Sequence, residues 1–391
     1  MDKLLEIVAT YCDLWKMTLT EKKTHVLTLG PENKHWRIPS MSDHPEFTVT
    51  EKAAAKYLGV QVSIRPRGYF TDFNRGIIKK ARNYANAIMS LSKDSLDRSL
   101  VAHTMWETCA IPGILYATEC LPVTKATVTE LDSIQSSVAK FILQIHRSSS
   151  NIGADIEVGF MPMKYRIMKK VINYYKKLRD LNDDSLVKHA FNENISGSWT
   201  SKYSTNLINM FTELGMLGKP DHPAFSSKSH FDLEAIRYMK SEWLKCSKSL
   251  CALPLPASGW FKKEEHINDS LASKVLCEFR CGNAKLGNRM PIEGGIRIKL
   301  CPFCTTDDDY VLINESHVVI QCKQLNSVRN AMDINFPIKE WQKQQISPIR
   351  QLRLLLGGDG SEPELLFSRA IELALLRDAW IKELKAYKGS L

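Results

Sequence analysis

Apolar residues recur every three or four positions along most of this 391-residue chain, and that period marks helices rather than strands. The first stretch, Leu4, Val8, Tyr11 and Trp15 with Leu5, Cys12 and Leu19 beside them, predicts an amphipathic helix from residue 2. Three β-branched or aromatic runs, Thr24–Leu29, Phe47–Thr50 and Tyr57–Ile64, then predict short strands. Beyond Arg65 the helical period returns. It predicts helices over Asp72–Leu91, with Ile77, Ala81, Tyr84 and Ile88 inward, over Leu96–Cys109, and over Thr124–Ile145 with Thr124 as N-cap. A further helix is expected over Lys164–Arg179, with Met168, Val171, Tyr175 and Leu178 inward. A polar connector from Asn182 to His230, carrying one helix near Asn206–Leu217, leads to a helix over Phe231–Leu250. Leu253-Pro254-Leu255-Pro256 breaks the pattern and marks a boundary. Helices over His266–Phe279, Pro348–Leu356 and Glu362–Lys385 complete the chain.

The fold class expected from this pattern is mainly α, with a small α+β piece at the N-terminus. Its parts are residues 1–64, 65–250 and 251–391. One helix and a few short strands bury little surface alone, so the first part is expected to belong to a larger domain.

Composition adds that this is an ordinary globular chain, 25% charged and 44% hydrophobic. The net charge of +10 is concentrated: 18 of the 53 Lys and Arg, but only 10 of the 43 Asp and Glu, fall between Arg65 and Asp180. Such a field suits a polyanion such as nucleic acid, and on charge alone it equally suits an anionic membrane. The candidate contacts are Arg65, Arg67, Arg75, Lys79, Lys80 and Arg82 around the second helix, and Lys164, Arg166, Lys169, Lys170, Lys176, Lys177 and Arg179, which stand among tyrosines with no acid between them. A solvated basic face is the plainer account of the same residues.

No n-region, apolar run and cleavage site open the chain. The longest apolar stretch, Cys109–Val123, is interrupted by Pro112, Gly113, Glu119 and Pro122 and is too short for a span. The expectation is an intracellular protein, in nucleus or cytoplasm, with no membrane partner. In a reducing compartment clustered cysteines are metal ligands more often than bridges. Here Cys301-Pro302-Phe303-Cys304 is followed by His317 and Cys322, a Cys-x2-Cys-x12-His-x4-Cys (CCHC) pattern. Three thiolates and an imidazole make a closed tetrahedral zinc site; a catalytic zinc would keep a position for water, so the metal is expected to be structural. Its small module, about Leu300–Gln324, is expected to unfold by itself when the metal is removed. Cys277 and Cys281 share a helical face but lack a knuckle. Asp183-Asp184 and Asp307-Asp308-Asp309 read as solvated turns, and Gly357-Gly358-Asp359-Gly360 as a linker, since it lacks the Lys-Ser/Thr of a phosphate loop.

Thr18-Leu19-Thr20-Glu21-Lys22-Lys23-Thr24, followed by Ala55-Lys56-Tyr57-Leu58-Gly59-Val60, resembles the end of the palm in reverse transcriptases of non-LTR, LINE-type retrotransposons, with Thr20 where that family usually has Asn. Ile114-Leu115-Tyr116-Ala117-Thr118-Glu119 resembles a segment of their thumb, with Ala117 where glycine is usual, and Arg280-Cys281-Gly282 resembles the residues before their terminal zinc motif. The resemblance implies a palm remnant over 1–64, a helical thumb and connector over 65–250, and a C-terminal region with a zinc-knuckle-like module at 301–322. It implies a motif-D-like role for Lys23 and a primer-grip-like place for Tyr57, Leu58 and Gly59. Template-primer RNA or DNA would be the partner. The aspartate pair that positions two magnesium ions would precede Met1 in the family's layout, so magnesium would serve only in an intact polymerase with an upstream fragment. The chain is expected to bind nucleic acid without synthesising DNA. An element-derived, non-enzymatic zinc-containing RNA- or DNA-binding protein is the alternative.

Overall fold

The computed structural model describes residues 2–19, 24, 36–38, 47–49, 54–57, 59–63, 70–95, 97–196, 202–217, 230–246, 270–281, 283–287, 297–356 and 363–389. These residues are mainly helical, with two short hairpins near the start. Helix α1 (Asp2–Leu14) forms where expected. Its expected packing stripe faces outward, however: Leu4, Val8, Tyr11 and Trp15 are exposed, and Ala9 and Cys12 are the buried residues. Apolar side chains occur on more than one side of this helix, so the period alone did not select the buried face.

Strand β1 (Trp36–Ile38) pairs antiparallel with β2 (Phe47–Val49), and β3 (Ala54–Tyr57) with β4 (Val60–Ser63). The single strand expected from Tyr57 onward is thus a hairpin. Tyr57 faces Val60 across a two-residue turn in which Gly59 takes φ 83°, a left-handed conformation that glycine adopts without steric cost. A β-carbon on Gly59 would lie 3.7 Å from the Tyr116 ring, so the turn rests against the 114–119 segment. The expected strand over Thr24–Leu29 lies outside the described residues except for Thr24.

Helix α2 (Thr71–Ser92) buries Phe73, Ile77, Ala81, Ala85 and Ile88. In α3 (Arg98–Met105) the Leu100 N–H donates to the Asp97 carboxylate at 2.9 Å. The helix was expected to stop at Cys109, but it continues through a π-turn, Trp106–Ala110, into α4 (Ile111–Ile114). The wide turn lies just before Pro112, which has no N–H for the α-helical ladder. Thr124 caps α5 (Lys125–Ile142) as expected, accepting from the Thr127 N–H at 3.2 Å. Helix α6 (Asn151–Val158) was not legible: it has eight residues and buries Asp155 and Glu157 along with its apolar ones. Then come α7 (Met163–Arg179), α8 (Leu186–Ser196), α9 (Lys202–Glu213), α10 (His230–Cys246) and α11 (Ser270–Arg280). The segment read as a polar connector with one helix therefore holds two among its described residues. After the Cys/His segment follow α12 (Asn326–Asn330), α13 (Asn335–Lys343), α14 (Pro348–Leu355) and α15 (Pro363–Gly389). No described helix is long and apolar enough to cross a membrane.

One buried apolar cluster runs from Phe73 to Leu384 and includes Trp106, Phe160, Phe279 and Trp380. A smaller one joins Tyr165, Met168 and Ile172 of α7 to Met216, Phe231 and Ala235. Leu253–Pro256 lies outside the described residues, and the larger core draws on residues from both sides of it. The two sides are also joined by a buried ion pair. The Arg280 Nε donates to Glu157 at 2.7 Å with both side chains almost wholly buried, and its Nη1 donates to the Leu356 carbonyl. One guanidinium thereby ties α6, α11 and the end of α14 together.

Two carboxyls, Asp132 of α5 and Asp155 of α6, interact with one another. Ser136 donates to Asp155 at 2.7 Å, and the Met163 N–H donates to Asp132 at 2.8 Å. Burial pushes Asp155 well above the usual carboxylate range, and pushes Asp132 up to about 6 against the opposing effects of the Met163 N–H and Arg166.

Two predictions follow from this packing. Glu157→Gln should cost about 3–5 kcal/mol in chemical denaturation, because it leaves the Arg280 charge buried without its counter-ion, whereas Glu157→Leu combined with Arg280→Met should recover most of that loss. Asp132 binds its proton more tightly when folded. Its contribution to stability is therefore present below the ordinary carboxylate pKa of about 4 and is lost as pH rises through about 6. Asp132→Asn should flatten that part of the curve when denaturation midpoints are compared across this window.

Candidate metal centre

The Cys-x2-Cys end of the site is built by a tight turn at the mouth of a small antiparallel bridge. Leu300 pairs with Leu312, the Cys301 N–H donates to Val311 O at 2.7 Å, and the Ile313 N–H donates to Lys299 O at 2.9 Å. The chain then doubles back, with the Thr305 N–H donating to Cys301 O at 3.0 Å. Thr305 closes the far side by accepting from the Val311 N–H at 3.2 Å. Asp307, Asp308 and Asp309 lie in the exposed tip of this loop.

The His-x4-Cys end is not an ordinary helix. On an α-helix, residues five apart stand about 140° from each other. Here His317–Gln321 forms a π-turn in which the Cys322 N–H donates to His317 O at 2.7 Å, so the wider turn brings the two ligands together. Asn314 starts the segment by accepting from the His317 N–H at 2.8 Å.

The ligand atoms of Cys301, Cys304, His317 and Cys322 all lie within 4.8 Å of one another. The sulfur of Cys322 is 4.0 Å from that of Cys301 and 3.9 Å from that of Cys304, and all three cysteines are free. A tetrahedron with arms of about 2.3 Å has edges of about 3.8 Å, so the spacing suits a tetrahedral metal. The His317 Nε2 is buried without a hydrogen-bond partner, an orphan that a metal bond would satisfy. Chiefly through the hydrogen bond with Cys322, helped by His317 and opposed by burial, Cys301 is held down at about 4, while Cys301 and burial push Cys322 far up. Crowded thiols resist ionising together unless a cation joins them. The residues present therefore fit a metal ion such as zinc. Among the described residues this is the metal-ligating cluster that the fold assembles.

Two supports were missed from sequence. Arg329 is buried behind the π-turn and donates to Val318 O at 3.2 Å, to Val319 O at 3.4 Å, and to Cys322 O and Asn326 Oδ1. A divalent ion with three thiolates would carry one excess negative charge, which this guanidinium would offset. The only signal in the sequence was an arginine seven positions after the last ligand. Phe303, inside the knuckle, packs edge-on against Trp380 and Tyr387 of α15, both with centroids at 5.8 Å. The module consequently does not own a small separate core; Val318, Val319 and Ile320 belong to the main one.

The basic residues read from sequence divide into two groups. Arg65, Arg67, Lys23 and Leu58 lie outside the described residues. On α2, Arg75 and Lys79 are exposed with no carboxylate partner among the described residues. Lys80 stands over the Tyr116 ring, and Arg82 pairs with Glu130. On α7, at least five of the seven cations are in ion pairs: Lys164 with Glu213, Arg166 with both oxygens of Glu107, Lys169 with Asp232, Lys170 with Glu119 and Arg179 with Asp180. Four of these acids come from outside the helix and its C-cap, which is why the helix read as uncompensated.

Metal analysis of the purified chain should find about one equivalent of zinc, and much less in Cys304→Ser or His317→Ala. Metal uptake should release protons from the thiols. Because Phe303 abuts Trp380, chelation should raise amide exchange along α15 as well as over Leu300–Gln324, a wider response than the module alone would show.

No protein-family model, no curated protein and no solved structure matches this chain.

Proposed function

We propose that this chain is a C-terminal part of a LINE-type reverse transcriptase that holds template-primer nucleic acid and does not itself join nucleotides. The observation that carries the reading is the assembled Cys3His set, reached at the end of an ordered series of palm-like, thumb-like and pre-zinc segments. Four protein ligands leave no position for water, so the metal braces structure rather than activating a nucleophile. The contact of the Gly59 turn with Tyr116 supports the reading too, since it unites two segments that resemble the family independently.

In this reading the zinc, held by Cys301, Cys304, His317 and Cys322, stiffens the C-terminal region. The strand-facing charge then comes from exposed cations with no acid partner among the described residues, Arg75 and Lys79 of α2 and Lys177 of α7. Nucleotidyl transfer needs adjacent carboxylates that fix two divalent ions. Asp183-Asp184 and Asp307-Asp308-Asp309 lie in exposed turns and are not assigned that task. The second reading, an element-derived nucleic-acid-binding protein with no polymerase partner, shares every one of these contacts; restoration of DNA synthesis by an added upstream palm fragment would separate the two.

The test is fluorescence anisotropy with a labelled RNA–DNA primer-template from about 50 to 200 mM salt. Binding should fall steeply with salt, and Arg75→Ala with Lys79→Ala should weaken it alike for all sequences and flatten the slope by about two. No incorporation should occur with magnesium or manganese. Absence of binding at low salt, or synthesis by the chain alone, would overturn the reading.

A further inference from the structure

Helices α3, α5 and α11 meet around a cavity of about 590 Å3, apart from the metal centre and from the cations considered above. Four basic residues from three helices and a loop line it: Arg98 at the start of α3, Lys140 on α5, Arg147 in the loop that follows, and Lys274 on α11. Ser133 and Ser137 add hydroxyls, and none of the described lining residues is acidic. That is the reverse of α7, where acids from neighbouring elements meet most of the cations. Four like charges gathered without a carboxylate repel one another, and an anion placed among them relieves that repulsion.

Each cation is held in a way that leaves donors unused. The Arg98 guanidinium lies over the Phe141 ring at 3.9 Å and donates from Nη2 to Phe141 O at 2.7 Å, while its Nε is buried with no acceptor. A buried donor left without an acceptor is costly. Lys140 is buried; its ammonium donates to Arg147 O at 2.8 Å and to Asn151 Oδ1, which leaves one of three protons. Burial lowers the Lys140 pKa, with Asp155 and Cys281 opposing that shift, and burial likewise pushes the Asp155 carboxyl well up. Arg147, which is exposed, and Lys274, which is half-buried, have no carboxylate partner among the described residues.

We propose that this cavity is a phosphate-binding site and that the phosphate it takes belongs to the backbone of a bound nucleic-acid strand. The strand assignment rests on the function proposed above; the anion site rests on the cavity itself. The volume is that of a small-molecule cleft, enough for a phosphate with its sugar. Phosphate is the anion that suits several cations and hydroxyls converging from different directions. The site exists only when α11 is docked, because Lys274 comes from that helix and the buried Arg280–Glu157 pair holds the same helix in place.

The experiment uses the full chain and the double variant Arg147→Ala/Lys274→Ala, whose side chains make no hydrogen bond or ion pair among the described residues; circular dichroism checks that it folds. The probes are a labelled single-stranded RNA and an RNA–DNA hybrid, followed by anisotropy from about 50 to 200 mM salt, with pyrophosphate titrated by calorimetry. The variant should bind both nucleic acids more weakly, with the slope of log affinity against log salt flattened by about two. The charge-retaining pair Arg147→Lys/Lys274→Arg should keep most of the binding. If the wild type binds nucleic acid and the alanine variant matches it in affinity and slope, the cavity is not a phosphate site, although the nucleic-acid reading survives. If the charge-retaining pair loses as much as the alanine pair, packing and not charge is responsible and the proposal fails. Pyrophosphate binding that the alanine variant loses, with neither nucleic acid bound by the wild type, overturns the strand assignment together with the function it rests on. No binding of any probe overturns the anion site as well.

Discussion

A buried guanidinium ties the helices before the 253–256 break to those after it. Arg280 sits between the Glu157 carboxylate on α6 and the Leu356 carbonyl at the end of α14, almost without solvent. A charge so placed tolerates one geometry, because any shift that lengthens the bonds leaves an ion in a poorly polarisable interior. The position of α11 follows from this, and with it the place of Lys274 and the packing of α11 along α15. Arg377 of α15 adds a second tie by donating to the buried Glu278 carboxylate at 3.0 Å. Such pairs add less stability than apolar packing would, but they discriminate sharply between alternative arrangements of the same helices.

The candidate metal centre is fastened into the same body. Its four ligands come from a knuckle and a π-turn, and neither piece could hold its shape by local hydrogen bonds alone. Arg329 takes up the carbonyls that the wide turn leaves over, and Phe303 reaches α15 at Trp380, whose indole N–H is itself bound to Leu286 O at 3.1 Å. The consequence is mechanical: a change at the sulfurs is felt along α15, and a change in α15 is felt at the sulfurs.

Charge is distributed by the tertiary structure in a way that the linear count conceals. The densest basic helix, α7, is also the most thoroughly neutralised, since Glu107, Glu119, Glu213 and Asp232 arrive from other elements. Helix α7 thereby acts as a strut that binds its neighbours, while the positive potential available to a partner shifts to α2 and to the cavity between α3, α5 and α11.

The sequence alone determined the helical class, because burying one face of a helix demands a period that can be read directly: α2, α5 and α7 lie within two or three residues of where that period put them. It also picked out the four residues whose ligand atoms the fold brings within 4.8 Å of one another, because soft donors at knuckle spacing are a local pattern. Helix α6 escaped, since its buried side carries two acids, bound in the fold by Ser136 and Arg280. The buried face of α1, the break of the last expected strand into a hairpin at Gly59, and the π-turn at His317 were decided by tertiary structure. So were Arg329 and the meeting of Arg98, Lys140, Arg147 and Lys274. The physical reason is the same in each case: these features depend on which distant group lies opposite, and a periodic pattern records that a residue is to be buried or charged without recording against what.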